Sequence, residues 1–436
     1  MITKKVLILA KKTFNELFPL HRSLGGKNNL KTIKILSKIS KFNISYFKMS
    51  SKINDWKIPK EWNCVSGTIR DMSNKKILDI KNNNLHIVSY SVPVKNRIIK
   101  KKDLLKKIYT LKNKKNTIPY VTSYYKKDWG FCMTHNQKES LKDSKYRVNI
   151  DSYFSNKGLP YGYKLIKSKN KNAKTILFST NICHPSMFNN ELSGPVLLTI
   201  FKKMIENKKL NYNYLFLLLP ETIGSIAYTT NNFNFLKENV LMGFTITMFG
   251  YKKEFMIVKN LLGTSNALNI ARKSCPSPRV LKIYNFRKKG SDERQYCSAN
   301  INLDVVGLRR GTSKLFEQYH SSDDNMSLFN AATISQSLKW LKNIFKNIEI
   351  EEFYKTKYLG EPMLSKRNLY HNISTPRNII SKSVNNSYYA KRLIDIAHLM
   401  NGMRSNNEIK NLLRLKDIDF KNLLNTLLKN KIIFKV

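Results

Sequence analysis

The stretch TNICHPSMFNNELSG (Thr180–Gly194) follows a short apolar run and carries His184, one of seven histidines in the chain. A second apolar run ends in PETIGS, with Glu221. His320 lies in EQYHSSDDN, and Asp292 in GSDERQYC, where Asp, Glu and Arg crowd behind Gly290. Imidazole and carboxylate together suit Zn²⁺, and an open position would let the ion polarise a carbonyl and lower the pKa of bound water. The same residues have plainer readings. A lone histidine after a strand also fastens a loop by hydrogen bonding, and SDER also reads as a solvated turn closed by an Asp–Arg pair. Cys183 beside His184 is a weak nucleophile candidate, because neighbours at a strand end point to opposite sides. The sequence contains no P-loop, GxGxxG or HExxH pattern.

These residues need elements to bring them together. KTILFST, YNYLFLLLPETIGS, LMGFTITMFG and INLDVVGL read as buried strands, and LSGPVLLTIFKKMIENK as an amphipathic helix. Continuous apolar strands separated by helices indicate a sheet covered on both faces and largely parallel. Ligands collect beyond the carboxyl ends of such strands, where His184 and Glu221 both fall. Ile334, Leu338, Leu341, Phe345 and Ile348 form a helical core stripe, which is packing and carries no chemistry. The first ~50 residues fit two helices broken at Gly25-Gly26, and a β-rich module extends from there to about residue 150. YLGEPMLSKRNLYHN reads as a linker. The last ~50 residues read as three short helices and a terminal strand, a winged-helix pattern that enters DNA grooves or packs on protein.

The formal net charge is +49, which invites comparison with nucleic-acid binders. Lysine is nevertheless spread through the whole chain with Asn and Ile, as an A/T-rich genome writes into solvent-facing positions. Nucleic acid is therefore not the favoured partner. Five cysteines without a CxxC pair argue for a reducing compartment and no disulfide framework. The apolar stretch near the start is too short for a signal peptide, and no run reaches the ~18 residues of a membrane span. A cytoplasmic location is expected, with oligomeric state open.

CHPSMFNNELSGP, PETIGS, GSDERQYC and YHSSDDN, in this order and spacing, resemble a bacterial family of aminopeptidase-like proteins often encoded near surface-polysaccharide biosynthesis genes. LFPLHRSLGG, IPYVTSYYKKDWGFCMTHNQ, LGEPML and the terminal winged helix fit the same resemblance, so it covers nearly the whole chain. That family is similar to the zinc aminopeptidases of the aminopeptidase Y and transferrin-receptor type. The resemblance implies an α/β fold: a mixed, largely parallel sheet flanked by helices, with an inserted β-rich module and a C-terminal winged helix. It places the peptidase-like domain at residues 1–50 and 150–355, the insert at 51–149, and the linker and winged helix at 356–436.

By motif, His184 and His320 resemble the metal histidines, Glu221 the acidic residue that is ligand or general base, and Asp292 an aspartate that supports or joins the site. Asn190 stands where the related peptidases place a metal-bridging Asp, Tyr251 where they offer another, and PETIGS has a single Glu. A neutral Asn cannot hold two cations together, so the resemblance implies one zinc per chain, with Glu191 as a further carboxylate for ligation or proton transfer. Arg294 is the candidate to stabilise an oxyanion. Trp129, Cys132 and His135 are read as a loop of the insert reaching over the cleft, with core packing as the alternative for Trp129.

Three readings follow. The first is a zinc-dependent hydrolase of an amide in a small peptide or an amino-sugar. The second, favoured by Asn190 and Tyr251, is a peptidase fold without catalysis that binds or scaffolds. The third is a winged-helix regulator that binds nucleic acid.

Overall fold

Continuous apolar runs can pair into a sheet only if both of its faces are covered, and this governs the architecture. The computed structural model describes residues 2–261, 265–311, 316–369 and 384–436. Eight strands form the central sheet: β1 (Asn43–Phe47), β2 (Leu159–Ile166), β3 (Thr175–Asn181), β4 (Asn213–Leu219), β5 (Val240–Ile246), β6 (Phe255–Lys259), β7 (Lys282–Asn285) and β8 (Val305–Arg310). Their order is β1-β2-β4-β3-β5-β8-β6-β7. The pairs β3 with β4, β3 with β5, β5 with β8 and β6 with β7 are parallel; β1 with β2, β2 with β4 and β6 with β8 are antiparallel. The sheet is thus mixed, largely parallel and flanked by helices, as expected.

Alternation along the strands feeds two cores. Phe178, Phe216 and Phe244 point to one face, where the helices Lys4–Leu17, Lys27–Ile39, Ser193–Ile205 and Ala331–Ile350 pack. Phe178 meets Phe216 and Phe244 at ring-centroid distances of 5.6 and 5.2 Å, each such pair adding about 0.5–1.5 kcal/mol beyond burial. Leu177, Leu215 and Leu217 point to the other face, against the helix Ile223–Asn231 and part of the inserted module.

The chain leaves the central sheet after β1 and re-enters it at β2. Gly158 precedes the re-entry with φ 86°, where a Cβ would collide with the Phe47 carbonyl. Between them lies an antiparallel four-stranded sheet, in the order Lys76–Asp79, Glu61–Arg70, Lys145–Ser155, Val94–Lys100. Trp62 is buried in this module and donates from Nε1 to the Ser91 carbonyl at 2.9 Å.

After the long helix, Phe353–Thr356 forms the middle strand of a three-stranded antiparallel sheet with Asn401–Ser405 and Ile433–Lys435. The helices Val384–Leu399, Asn406–Leu412 and Asp417–Lys429 accompany it over a separate apolar core. The end of the expected linker, residues 370–372, lies outside the described residues. Among the described residues no helix is long and apolar enough to cross a membrane.

Candidate metal centre

β3 and β4 are adjacent and parallel, so the loops that follow them emerge side by side. The Ile182 amide donates to the Leu219 carbonyl at 3.0 Å, which locks the two loops in register. His184 follows three residues after β3 and Glu221 two residues after β4. The imidazole is buried, with Nε2 3.7 Å from Glu221 Oε2.

Its other nitrogen is held from behind. Phe188–Leu192 forms a single π-helical turn before the helix Ser193–Ile205, and this wide turn carries Glu191 back towards the histidine. Glu191 Oε2 lies 2.9 Å from His184 Nδ1, and the Glu191 side chain is wholly buried. Asp324 fixes the turn: its carboxylate accepts from the backbone amides of Asn189 at 2.7 Å and Asn190 at 2.8 Å. Gly194 allows the helix to start here, because a Cβ would strike Thr180 Oγ1 and the Ile246 carbonyl. Burial depresses the His184 imidazole, but the facing Glu191 carboxylate counters it, and the group is held well above its ordinary value.

Glu221 is the open carboxylate of the set, about one-third exposed (32%). The Ser291 hydroxyl donates to its Oε1, leaving Oε2 towards His184. Thr222, with φ 62°, turns its amide onto Asp292 Oδ1 at 2.7 Å. Asp292 is buried beneath this loop. Burial, then the nearby Glu221 carboxylate, raises its carboxyl well above the usual range.

His320 enters from the segment after β8, with φ 52°. Its ring centroid is 5.2 Å from that of His184, and its Nε2 is buried without a hydrogen-bond partner among the described residues. Burial and the neighbouring His184 lower this imidazole to about 3, so its ring is neutral with a lone pair to offer. Arg294 is exposed, its stem lying against Gly290, and it shares none of these contacts.

The inserted module supplies the remaining wall. Tyr120 places its ring 5.2 Å from His184 and 5.3 Å from His320, and its amide donates to the His320 carbonyl at 2.9 Å. Its hydroxyl pairs with that of Tyr124, four residues further along the chain. The expectation that Trp129, Cys132 and His135 reach over the cleft is corrected. Trp129 packs on Phe131 and under Lys107, Cys132 packs beneath the His184 loop against Met187, and His135 bonds Thr110. Tyr120 and Tyr124 lie a few residues earlier in the same quoted stretch, but nothing in its spacing marks them. Asn190 turns its amide side chain to Met187, and Tyr251 packs edge-on against Phe316, so neither position brings a carboxylate.

Among the described residues, Cys183, His184 and Glu191 have donor atoms all within 4.8 Å of one another. This tight group does not fit a catalytic ion. It uses the histidine nitrogen already hydrogen-bonded to Glu191, it is buried throughout, and the Cys183 sulfur accepts the Glu221 amide at 3.2 Å. Burial pushes the Cys183 thiol up to about 12, which removes the thiolate needed for ligation or attack. Iodoacetamide at about pH 8 should therefore leave Cys183 unmodified in the folded protein and alkylate it in urea, as read by peptide mass mapping. On the other side of the ring, His184 Nε2 is turned to Glu221 Oε2 at 3.7 Å, and the His320 ring lies 5.2 Å from that of His184. A carboxylate on the far nitrogen of a ligating histidine is the usual support for zinc.

A family model described as a domain of unknown function (DUF4910) matches residues 11–351. A protein of Clostridium acetobutylicum, named a "putative polysaccharide biosynthesis protein with aminopeptidase-like domain", is 37% identical over 362 residues, 82% of each chain. A crystal structure described as a "putative peptidase" from Clostridium acetobutylicum superposes with a TM-score of 0.78 at 31% identity, covering 100% of this chain and 99% of that one. BSAP, a zinc aminopeptidase from Bacillus subtilis, shares the fold with a TM-score of 0.59 at 13% identity, over 78% of this chain and 94% of its own. On its sequence and its fold, this chain belongs to the DUF4910 family, an aminopeptidase-like group.

Proposed function

We propose that the protein is a metal-dependent amide hydrolase that holds one zinc ion through His184 Nε2, His320 Nε2 and the Glu221 carboxylate. The observation that carries this reading is the division of labour at His184: buried Glu191 occupies Nδ1, while Nε2 faces Glu221 beside a His320 nitrogen with no hydrogen-bond partner among the described residues. In a chain of net charge +49, the carboxyl groups of Glu191, Glu221 and Asp292 collect around this one point. A zinc ion bound here would supply Lewis-acid activation of an amide carbonyl and of water.

The chain's own groups prepare the site for that chemistry. Glu191 sets the tautomer and angle of the His184 ring. Ser291 fixes one oxygen of Glu221, so the other remains directed at the open side. Asp292 anchors the Thr222 amide and thereby the loop that carries Glu221. Tyr120 backs both imidazoles and limits water on that wall. The substrate class is an amide of a small peptide or an amino-sugar, in keeping with the name of the Clostridium relative.

Elemental analysis of protein purified without a histidine tag tests this. Wild type should carry about one zinc per chain, with His184→Ala and His320→Ala retaining the fold and losing the metal. Glu221→Gln should lose it as well; a Glu221→Gln variant that keeps zinc but loses hydrolysis would reassign the carboxylate to proton transfer. Asn190 and Tyr251 favour a second reading, a binding protein on a peptidase fold. Wild type that takes up no zinc after incubation would select it.

A further inference from the structure

Beside the candidate centre, on the side of the inserted module, lies a cavity of about 560 Å³ that includes Tyr124 in its wall. This volume is within the range of small-ligand sites and exceeds what a single amino-acid side chain fills. Tyr90 and Phe154 form an aromatic wall with Tyr124. The Tyr90 ring lies 6.0 Å from that of Tyr124 and 6.1 Å from that of Phe154, and Trp62 stacks behind it at 5.8 Å.

Around the opening stand Lys57, Lys60, Lys126 and Lys127, and no acidic residue lines the cavity. Lys126 is 3.7 Å from Asp128; the other lysines form no ion pair among the described residues. Lysine is common everywhere in this chain, so the rim alone would mean little. The backbone adds an independent mark. Tyr90 has φ 69° and Tyr124 φ 42°, left-handed conformations that bulky side chains avoid. Strain of this kind persists where surrounding structure enforces it, and it concentrates at ligand clamps. Here it sits on two aromatic residues of one cavity, and Tyr124 lies four residues after Tyr120, whose ring is 5.2 Å from that of His184.

We propose that this cavity binds an anionic pyranose, a sugar bearing a phosphate or a carboxylate, with its ring against Tyr90 and Phe154 and its charge at Lys57, Lys60 and Lys127. Sugar rings present C–H faces that pack on aromatic surfaces, and ammonium groups serve as point charges for phosphate or carboxylate. Bound there, the sugar extends past Tyr124 towards Glu221. Only this last step rests on the hydrolase reading; the binding does not.

Isothermal titration of the full-length protein tests it, with N-acetylglucosamine 1-phosphate, glucuronate, neutral N-acetylglucosamine and inorganic phosphate as probes. At least one of the two anionic sugars should bind at sub-millimolar concentration, and both the neutral sugar and inorganic phosphate about tenfold more weakly. The two anionic probes separate a phosphate from a carboxylate ligand. The combined variant Lys57→Gln/Lys60→Gln/Lys127→Gln, and separately Phe154→Ala, should each weaken that binding about tenfold with an unchanged circular dichroism spectrum. His184→Ala should bind as wild type does, so loss of the metal reading would leave this one standing. Absence of binding by either anionic sugar, inorganic phosphate binding equally well, or wild-type affinity in the lysine variant would overturn the assignment.

Discussion

Glu191→Ala should lower the unfolding free energy of the metal-free protein by about 3–5 kcal/mol and weaken zinc retention by about 10–100-fold. The wild-type carboxylate is wholly buried against His184 Nδ1 and is the main counter-charge felt by Arg22, itself buried with its Nη1 donating to the Leu17 carbonyl. Alanine would leave the Arg22 guanidinium in a low-dielectric interior without that counter-charge, at a desolvation cost that exceeds the lost hydrogen bond, while the His184 imidazole would shed its proton. Glu191→Gln keeps the volume and an acceptor for Nδ1, so about 1–2 kcal/mol is expected there. Glu221→Gln, at a one-third exposed side chain, should stay within about 1 kcal/mol of wild type while losing the metal. Urea unfolding followed by circular dichroism, beside zinc competition with a chelator, separates a residue that orients the site from one that forms it. Wild-type stability in Glu191→Ala would remove the orienting role.

The contrast between these two glutamates shows what the sequence could convey. Glu221 was legible because a continuous apolar run must be a strand buried on both faces, and a carboxylate just past its end must sit at the sheet's carboxyl edge. The same reasoning placed His184, and the stripe from Ile334 to Ile348 correctly announced a packing helix. Glu191 was visible only as a carboxylate in a motif. Its return to His184 depends on a π-helical turn, and no periodicity encodes that. β6 and β7 were missed because β7, Lys-Ile-Tyr-Asn, is short and half exposed, and β6 is fixed in the sheet by pairing with β8. Tyr120 was illegible for a related reason. Its approach to His184 is enforced by pairing between segments about two hundred residues apart: the Ser322 amide to the Ile118 carbonyl at 2.9 Å, and Thr117 to Asp323. Contacts of that range leave no local signature.

That long-range clasp ends on Asp324, and Asp324→Ala should be the second strongly destabilising change, by about 3–5 kcal/mol at about pH 5, because two buried amides lose their acceptor. Its effect should also depend on pH in a defined direction. Burial pushes the Asp324 carboxyl up to about 7, against the amides of Asn189 and Asn190, which pull it down. An unfolded chain releases this proton near the ordinary carboxylate value, so between there and about pH 7 the folded state binds more protons than the unfolded state. Stability contributed by this group is therefore complete at low pH and is lost as pH rises towards neutrality. The gap between wild type and Asp324→Ala should narrow by about 2–3 kcal/mol from pH 5 to pH 8. Urea unfolding of both chelator-treated proteins at the two pH values measures it. A gap that widens with pH would mean the turn prefers an ionised carboxylate, and that the amides of Asn189 and Asn190 outweigh burial in holding Glu191 against His184.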